Sequence, residues 1–293
     1  MEPHEYRFTA KERIEKGWSC DTKYAVTDEN GQKYLLRVTP KEKSGSRSAM
    51  FDMQKRVDAL GVPMCSPIDF WENEEGAHLL QRFIDGVDAE DALPTMDEDA
   101  QYRLGIDAGH ILKTIHSIEA PPDIEDWETR FNRKIDRKIA MYDACSEKFE
   151  GDHHVLRYLA ENRHLLQGRP QCFQHGDYHT GNMMLENGKL VIIDFDRFDF
   201  GDPWEEFNRI VWCAAAAPAF ARGMVDGYFG GEPPLLFWQL LALYISSNTL
   251  SSLPWAIAFG EKEAETMRKQ AADVLQWYDN MQRAVPRWYR EQQ

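Results

Sequence analysis

Alternating hydrophobic and polar residues dominate the first part of the chain. Residues 12–38 predict a strand, a loop and two further strands joined at Asn30-Gly31, because Asn-Gly between alternating segments is a strong β-hairpin signal. A helix is expected at about residues 48–60, closed by Gly61. The apolar segments PIDFW and AHLLQRF then complete an antiparallel sheet with one helix.

After the segment IDGVD, apolar residues recur at the spacing of helices. Thr95 and Glu98 have the arrangement of a capping box at a helix start. Further helices are expected at about residues 127–149 and 153–167. One buried helical face is marked by apolar residues three or four positions apart: Leu104, Ala108, Ile111, Ile115 and Ile118.

A second hairpin interrupts this helical region. The segment NMMLENGKLVIIDF alternates around Asn187-Gly188, which predicts two short strands and a tight turn. Asp202-Pro203 is typical of a helix start, with Asp202 as the N-cap and Pro203 at the first helical position. The remainder of the chain is predicted to be helical.

The two patterns divide the chain near residue 84. Residues 1–83 are expected to form a small antiparallel-sheet lobe, and residues 84–293 a larger, mainly helical lobe. A chain of 293 residues can bury one large core or two moderate ones. The hydrophobic content of 43% and aromatic content of 12% exclude disorder as the main state.

The composition is strongly acidic. Lys and Arg number 34 and Asp and Glu 49, so the formal net charge is −15. Such a surface repels nucleic acid and anionic membranes and suits cationic ligands, although net charge also serves simply to keep a protein soluble. From this charge we expect no nucleic-acid or membrane partner, and we also expect a monomer or weak homodimer.

Cysteine usage and hydropathy indicate a cytoplasmic location. Five scattered cysteines without a CxxC pair argue against a disulfide framework and for a reducing compartment. The N-terminal segment MEPHEYRFTAKER has no apolar signal core. The most apolar run, residues 235–245, is too short to span a bilayer.

Candidate chemistry is concentrated in HGDYHTGN, residues 175–182, and IDFD, residues 193–196. Burying so many polar groups is costly unless they meet a cation or a substrate. A zinc site on His175 and His179 is weakly indicated, because Gly176 replaces the Glu of HExxH and the segment is not helical. A metal-dependent phosphohydrolase has the right ligand types here, but no upstream Asp-x-His partner.

A third interpretation, phosphoryl transfer from a nucleotide, fits the spacing. It needs an aspartate at the acceptor hydroxyl, and Asn and Asp oxygens that hold Mg²⁺ on the phosphates. The kinase catalytic loop has the form H-x-D-x-x-x-x-N, followed downstream by Asp-Phe. The chain presents these residues in that order: His175, Asp177, Asn182 and Asp194-Phe195.

The motifs HGDYHTGN, IDFD and GDPWEEF together resemble the aminoglycoside phosphotransferase and choline-kinase-like family of small-molecule kinases. The resemblance covers essentially the whole chain and implies a two-lobed, protein-kinase-like α+β fold. It implies Mg²⁺ as cofactor, ATP or GTP as co-substrate, and an alcohol acceptor, with an aminoglycoside or other amino sugar as the suggested acceptor. Asp177 would be the catalytic base, Asn182 and Asp194 the magnesium ligands, and His175 a buried structural residue.

The resemblance also implies a nucleotide site in the first lobe. The loop GWSCDTK, with Ser19, would cover the phosphates, although an ordinary hairpin loop explains it equally well. Family members usually pair a strand lysine with a helix glutamate, and Arg37 and Asp52 stand at those positions here. Backbone groups from Gln81 to Phe83 would meet the purine.

Three acidic residues are weaker candidates for contacts with a cationic substrate. Asp196 would join the metal or cap a turn. Glu205 and Glu206 stand in the first turn of the next helix, where the helix dipole alone explains acidic residues. A catalytically idle nucleotide- or ligand-binding protein and the phosphohydrolase both stay open as alternatives.

Overall fold

The chain folds into two compact units, in a computed structural model that describes residues 6–15 and 21–290. The units are Met1–Ala89 with Asn182–Phe198, and Glu90–Gly181 with Asp199–Gln293. The second hairpin therefore groups with the first unit, and not with the helical part where the sequence placed it. The reason is local pairing, since the Cys65 N–H donates to the Ile192 carbonyl at 3.1 Å and the Ile192 N–H to the Pro63 carbonyl at 2.8 Å.

A five-stranded antiparallel sheet forms the centre of the first unit, in the order β1-β2-β3-β5-β4. The hairpin expected at Asn30-Gly31 joins β2 to β3, and Gly31 has a φ of 81° that suits glycine. The strands are β1 (Phe8–Ile14), β2 (Thr22–Asp28), β3 (Lys33–Pro40), β4 (Pro67–Glu72) and β5 (Gly76–Arg82).

A single helix and the second hairpin complete this unit. Helix α1 (Arg47–Asp58) follows a short 3-10 helix and ends just before Gly61, whose φ is 76°. The hairpin consists of β8 (Met183–Glu186) and β9 (Lys189–Ile192), and β6 (Val87–Asp88) pairs with β8 as a third strand. The sheet, the helix and both hairpins thus follow the sequence pattern.

The second unit is mainly helical. Its only sheet in the described residues pairs β7 (Cys172–Gln174) with β10 (Asp199–Gly201). The short helix α2 (Ala89–Ala92) leads into this unit. The longer helices are α3 (Glu98–Ile115), α4 (Trp127–Ala144), α5 (Asp152–Asn162), α7 (Pro218–Phe229), α8 (Leu235–Ile257) and α9 (Glu261–Trp277). The shorter ones are α6 (Ile210–Ala216) and α10 (Arg287–Arg290).

Two helix starts differ from the sequence prediction. Asp97 caps α3 by accepting the Ala100 N–H at 2.7 Å, whereas Thr95 bonds the preceding turn through the Ala92 carbonyl. After Pro203 the chain forms a 3-10 helix, Glu205–Arg209, before α6 begins. The Asp202 side chain does accept the Trp204 N–H at 2.9 Å. It is also fully buried, and there it pairs with Arg169.

Helix α8 has more buried residues than any other helix described in the second unit. Its 23 residues are apolar over most of their surface, and Phe237, Leu241 and Ile245 are among those fully or almost fully buried. Within residues 6–15 and 21–290, no helix combines the length and the apolar character that crossing a membrane requires.

Helices α3 and α7 approach each other through glycines. A Cβ atom on Gly109 would lie 2.3 Å from the Met224 carbonyl oxygen and 2.5 Å from the Tyr228 nitrogen. These are backbone atoms and cannot rotate away, so any side chain at this position would force the helices apart.

We expect Gly109→Ala to lower the free energy of unfolding by about 1–3 kcal/mol, the usual cost of overpacking. Urea denaturation followed by circular dichroism measures the change. The matched control is Gly45→Ala, because a Cβ there meets no atom within 4 Å. Equal stability of the two variants would show that the α3–α7 contact tolerates a methyl group.

Candidate functional site

Asn182 and Asp194 lie at the same end of the second hairpin. Met183 pairs with Ile192, and just beyond this pair the Asn182 carbonyl accepts the Ile193 N–H at 3.0 Å. Asp194 follows with a φ of 65°, a left-handed conformation that aspartate tolerates better than most residues. The hairpin therefore holds the two expected magnesium ligands on one short, well-paired piece of chain.

The oxygens at this end of the hairpin fit a magnesium ion. Asp194 Oδ1 is buried and accepts no hydrogen bond from any described residue. No group of three or more His, Cys, Asp or Glu residues in the described ranges could hold a metal by itself. Mg²⁺ does not need such a group, because it is usually bound by one or two carboxylates together with substrate phosphates and water.

Arg37 is the buried cation of the first unit. It is only 3% exposed on β3, and its Nε donates to Asp21 Oδ2 at 3.0 Å while Nη2 donates to Asp196 Oδ2. Arg47, at the start of α1, closes a ring by reaching Asp21 at 2.8 Å and Asp196 at 3.0 Å. Asp194 stands beside the ring, 3.6 Å from Arg37 Nη1.

The charges of this ring, together with burial, shift the pKa values of its members. Burial alone would lower the pKa of Arg37, but the carboxylates of Asp196, Asp194 and Asp21 outweigh burial and raise it. Burial alone would raise the pKa of Asp21, but Arg37 and its other donors hold that pKa below its ordinary value. The pKa of Asp196 is raised, because burial and the neighbouring Asp194 outweigh the two arginines.

The expected pairing of Arg37 with Asp52 is not formed. Asp52 is exposed on α1 and makes no ion pair within the described ranges, and Asp21 takes its place on the guanidinium. Sequence reasoning missed Asp21 and Arg47 as partners of this ring, because nothing in the local sequence marks Asp21, within GWSCDTK, or Arg47 as a partner of Arg37 or Asp196. Ser19 lies outside the described residues, so its contact with phosphate stays a prediction.

The two residues expected at the purine differ in burial. The Gln81 side chain is fully buried, and its Nε2 donates to the Cys65 carbonyl at 3.2 Å and to Gln54 Oε1 at 3.3 Å. The Gln81 side chain is thus structural, and any contact with the purine would come from backbone. Phe83 directly follows β5 and is half-buried. Purine contacts at these positions stay a prediction.

In the second unit, the HGDYHTG segment forms a loop that is fixed by its own histidines. His175 is fully buried, as expected, and its Nδ1 accepts the Asp177 N–H at 3.3 Å. His179 Nδ1 accepts the Gly181 N–H at 3.1 Å. A Cβ on Gly181 would come within 2.7 Å of the His179 ring, so a larger residue here would displace that ring.

Glu206 holds the backbone of the same loop. It is 2% exposed, and its carboxylate accepts the Gly176 N–H at 3.0 and 3.1 Å and the Tyr178 N–H at 3.3 Å. These bonds lie on both sides of Asp177. Glu206 therefore positions the loop, and it does not offer a free carboxylate to a substrate as the sequence prediction required.

Glu205 and Asp202 are also paired internally. Glu205 accepts from Lys134 Nζ at 3.0 Å, and although burial alone would raise its pKa, the nearby cations lower it. Asp202 is fully buried and accepts two hydrogen bonds from Arg169, at 2.7 and 2.9 Å, and one from the Tyr244 hydroxyl at 2.6 Å.

Asp177 has a basic neighbour that its loop sequence did not reveal. Arg209 Nε lies 3.0 Å from Asp177 Oδ1, and His179 Nε2 lies 3.6 Å from the same oxygen. Arg209 ends the 3-10 helix that begins at Glu205, so only the fold brings it to the loop. The Asp177 carboxylate and the Arg209 guanidinium therefore form an ion pair at the catalytic loop.

We expect Asp21→Asn to lower the free energy of unfolding by about 3–5 kcal/mol, because it leaves the buried Arg37 and the half-buried Arg47 short of a counter-charge. The lowered pKa of Asp21 means that its contribution is present above the unfolded pKa of about 3.9 and is lost as pH falls through the folded pKa. The two proteins should therefore converge in stability in acid.

Urea denaturation between neutral and acidic pH measures this difference. The control is Glu125→Gln, which breaks an exposed ion pair with Arg133 and should cost no more than about 1 kcal/mol. A neutral-pH loss for Asp21→Asn no larger than that of the control would contradict the structural role of the ring.

The class of protein follows from its similarity to known proteins. The profile described as "Phosphotransferase enzyme family" matches residues 12–238. The chain belongs to this phosphotransferase enzyme family and is a small-molecule kinase. No curated protein sequence matched the chain.

Solved structures confirm the protein-kinase-like α+β fold. The chain is similar to aminoglycoside phosphotransferase APH(4)-Ia, with a TM-score of 0.67, 16% identity and coverage of 92% of this chain and 94% of that chain. It is similar to a choline/ethanolamine kinase family protein from Mesorhizobium loti, with a TM-score of 0.67, 16% identity and coverage of 94% and 91%. It is also similar to the gentamicin-bound APH(2")-IIa, with a TM-score of 0.61, 17% identity and coverage of 92% of each chain. At these identities the likeness concerns the fold.

Proposed function

We propose that this protein transfers the γ-phosphate of ATP or GTP to a hydroxyl group of a small molecule in a magnesium-dependent reaction. The observation that carries the proposal is the paired end of the second hairpin, where Asn182 and Asp194 offer oxygens to a cation and Asp194 Oδ1 accepts no hydrogen bond from the described chain. ADP is present in the structure of the related APH(2'')-Ib, which supports a nucleotide co-substrate.

Each site residue has a separate task in this reaction. Asn182 and Asp194 would hold Mg²⁺, which neutralises charge on the phosphates when bound. Arg37 supplies a permanent positive charge beside Asp194. Asp177 would orient the acceptor hydroxyl and take its proton, and Glu206 and His175 keep the backbone around Asp177 in place.

The alternatives receive less support. A phosphohydrolase needs a cluster of metal ligands, and no such group of His, Cys, Asp or Glu occurs between residues 6 and 290 outside the undescribed loop. A protein that binds a nucleotide or ligand without catalysis would not need the catalytic-loop carboxylate of Asp177 beside Arg209. The free thiols of Cys65, Cys145, Cys172 and Cys213 support a reducing, cytoplasmic location.

The acceptor is the least constrained part of the proposal. APH(4)-Ia has been solved with ADP and hygromycin B, and APH(2")-IIa with gentamicin, so amino sugars are bound by proteins of this fold. An amino sugar would need carboxylates that are free to meet its ammonium groups. Glu205 and Glu206 are both engaged within the protein, and Asp196 is paired with two arginines.

Asp194→Ala should abolish the stabilisation that Mg·ATP or Mg·GTP gives to the wild-type protein, because a principal magnesium ligand is lost. Thermal unfolding with each nucleotide, with and without EDTA, measures the effect. Glu74→Ala, an exposed change in the turn between β4 and β5, should behave as wild type. An unchanged shift in Asp194→Ala would refute its assignment as a ligand.

Asp177→Asn should lower kcat by about 10²–10⁴-fold, the usual effect of removing a positioned general base. Nucleotide-dependent stabilisation should stay intact, because Asp177 is not an assigned magnesium ligand. Coupled ADP or GDP release over a panel of aminoglycosides, macrolides and small alcohols gives the rate, with the exposed Asp136→Asn as control. Loss of magnesium affinity instead of turnover would favour the phosphohydrolase.

A further inference from the structure

Three carboxylates in or just before the 3-10 helix Glu205–Arg209, which ends beside Asp177, are already neutralised within the protein. Asp202 is bound by Arg169 and Tyr244, Glu205 by Lys134, and Glu206 by backbone N–H groups of the catalytic loop. Asp202, Glu205 and Glu206 are therefore not free to meet an ammonium group.

Two cations nearby are not neutralised in the same way. Arg209 forms an ion pair with one carboxylate among the described residues, with its Nε 3.0 Å from Asp177 Oδ1. Lys138 makes neither a hydrogen bond nor an ion pair with any residue of the described ranges, although its side chain is half-buried. Half-buried cations are normally paired, so Lys138 has capacity for an anion, and the Arg209 guanidinium has further N–H donors besides Nε.

The two cations lie on neighbouring elements. Lys134 and Lys138 are one turn apart on α4 and so share a face of that helix. Lys134 is bonded to Glu205, and Glu205 begins the same 3-10 helix that Arg209 ends. The 3-10 helix therefore lies beside the face of α4 that bears Lys134, and its last residue, Arg209, lies next to Asp177.

The pKa of Lys138 is affected by its burial and by the other charged side chains near it. The pKa of Lys138 is lowered to about 7, chiefly by burial; the charges of Lys134 and Arg209 act in the same direction, while Glu205 opposes them. The charges of Lys138 and Arg209 likewise contribute to the lowered pKa of Glu205. A group that binds here gains most if it brings a negative charge.

We propose that the acceptor carries a carboxylate or a phosphate monoester, and that Arg209 and Lys138 bind this anion while the acceptor hydroxyl lies at Asp177. The inference rests on the proposed function and names its substrate class. In the reaction, the hydroxyl oxygen forms a new bond to the γ-phosphorus and its proton passes to Asp177. The bond from that phosphorus to the β–γ bridging oxygen breaks, and ADP or GDP leaves with the electron pair.

This arrangement accounts for the pairing of Arg209 with the catalytic carboxylate. An anionic acceptor would be repelled by Asp177 unless a cation stood between them. The planar guanidinium of Arg209 can face Asp177 with Nε and still present its terminal nitrogens to a carboxylate or phosphate, which a lysine cannot do.

The first test is protection of Lys138 from acylation. The full-length protein is pulse-labelled with acetic anhydride in the presence of glycerate, glycerol 3-phosphate, glycerol or choline, and labelling is read by peptide mass spectrometry. These probes all carry a hydroxyl and differ in charge. Glycerate or glycerol 3-phosphate should protect Lys138, whereas glycerol and choline should not, and the exposed Lys113 serves as internal control.

The protection should depend on Arg209. In Arg209→Gln the apparent affinity of the protecting anion should fall by roughly 10–100-fold, the usual effect of losing a charge-assisted hydrogen bond, and Arg209→Lys should restore part of it. Protection by glycerate alone identifies a carboxylate acceptor, and protection by glycerol 3-phosphate alone a phosphate monoester. Equal protection by glycerol or choline, or none by either anion, overturns the proposal.

Kinetics separate this inference from the proposed function. For any acceptor that the panel finds, Lys138→Gln should raise KM by roughly 10-fold or more with little change in kcat, and Lys113→Gln should change neither. Phosphorylation of neutral or cationic acceptors with KM unaffected in Lys138→Gln would refute the anionic acceptor and leave the kinase assignment intact. Absence of both nucleotide stabilisation and transfer would instead refute the kinase assignment.

Discussion

The need to pair every buried charge shapes this protein more than any other constraint. In the second unit, the fully buried Asp202 is held by four donors, from the Arg169 side chain, the Tyr244 hydroxyl and the Trp204 backbone. In the first unit, Arg37 and Arg47 alternate with Asp21 and Asp196 in a closed ring. A buried charge that lost its partner would cost several kcal/mol, so these pairs fix the surrounding backbone.

The same constraint distinguishes structural carboxylates from functional ones. Glu206 is saturated by loop N–H groups and can only position its neighbours, whereas Asp194 retains a buried oxygen that accepts no hydrogen bond from the described chain. Asp177 forms an ion pair with Arg209 at 3.0 Å. The acidic composition of the whole chain is therefore a poor guide to the surroundings of Asp177, where Arg209 is basic and Lys138 has no hydrogen-bond or ion-pair partner among the described residues.

Local signals predicted much of the fold, because they depend on neighbouring residues. The turns at Asn30-Gly31 and Asn187-Gly188, and the order of residues in the HGDYHTGN loop, needed no knowledge of tertiary structure. The pairing of Arg37 with Asp21 and of Arg209 with Asp177 could not be found in this way, since nothing in the local pattern marks them as partners. The assignment of the second hairpin to the first unit likewise depends on pairing with residues more than a hundred positions away.

The central claim is that a phosphoryl group moves from a nucleotide to an alcohol, and ³¹P NMR observes that transfer directly. The protein is incubated with magnesium and ATP or GTP, together with alcohols that carry carboxylate, phosphate, ammonium or no charge. We predict a new phosphomonoester resonance, coupled to protons of the acceptor carbon, that grows as the γ-phosphate signal declines and is absent in Asp177→Asn. Release of inorganic phosphate alone, or an unchanged nucleotide spectrum with every acceptor, would contradict the account.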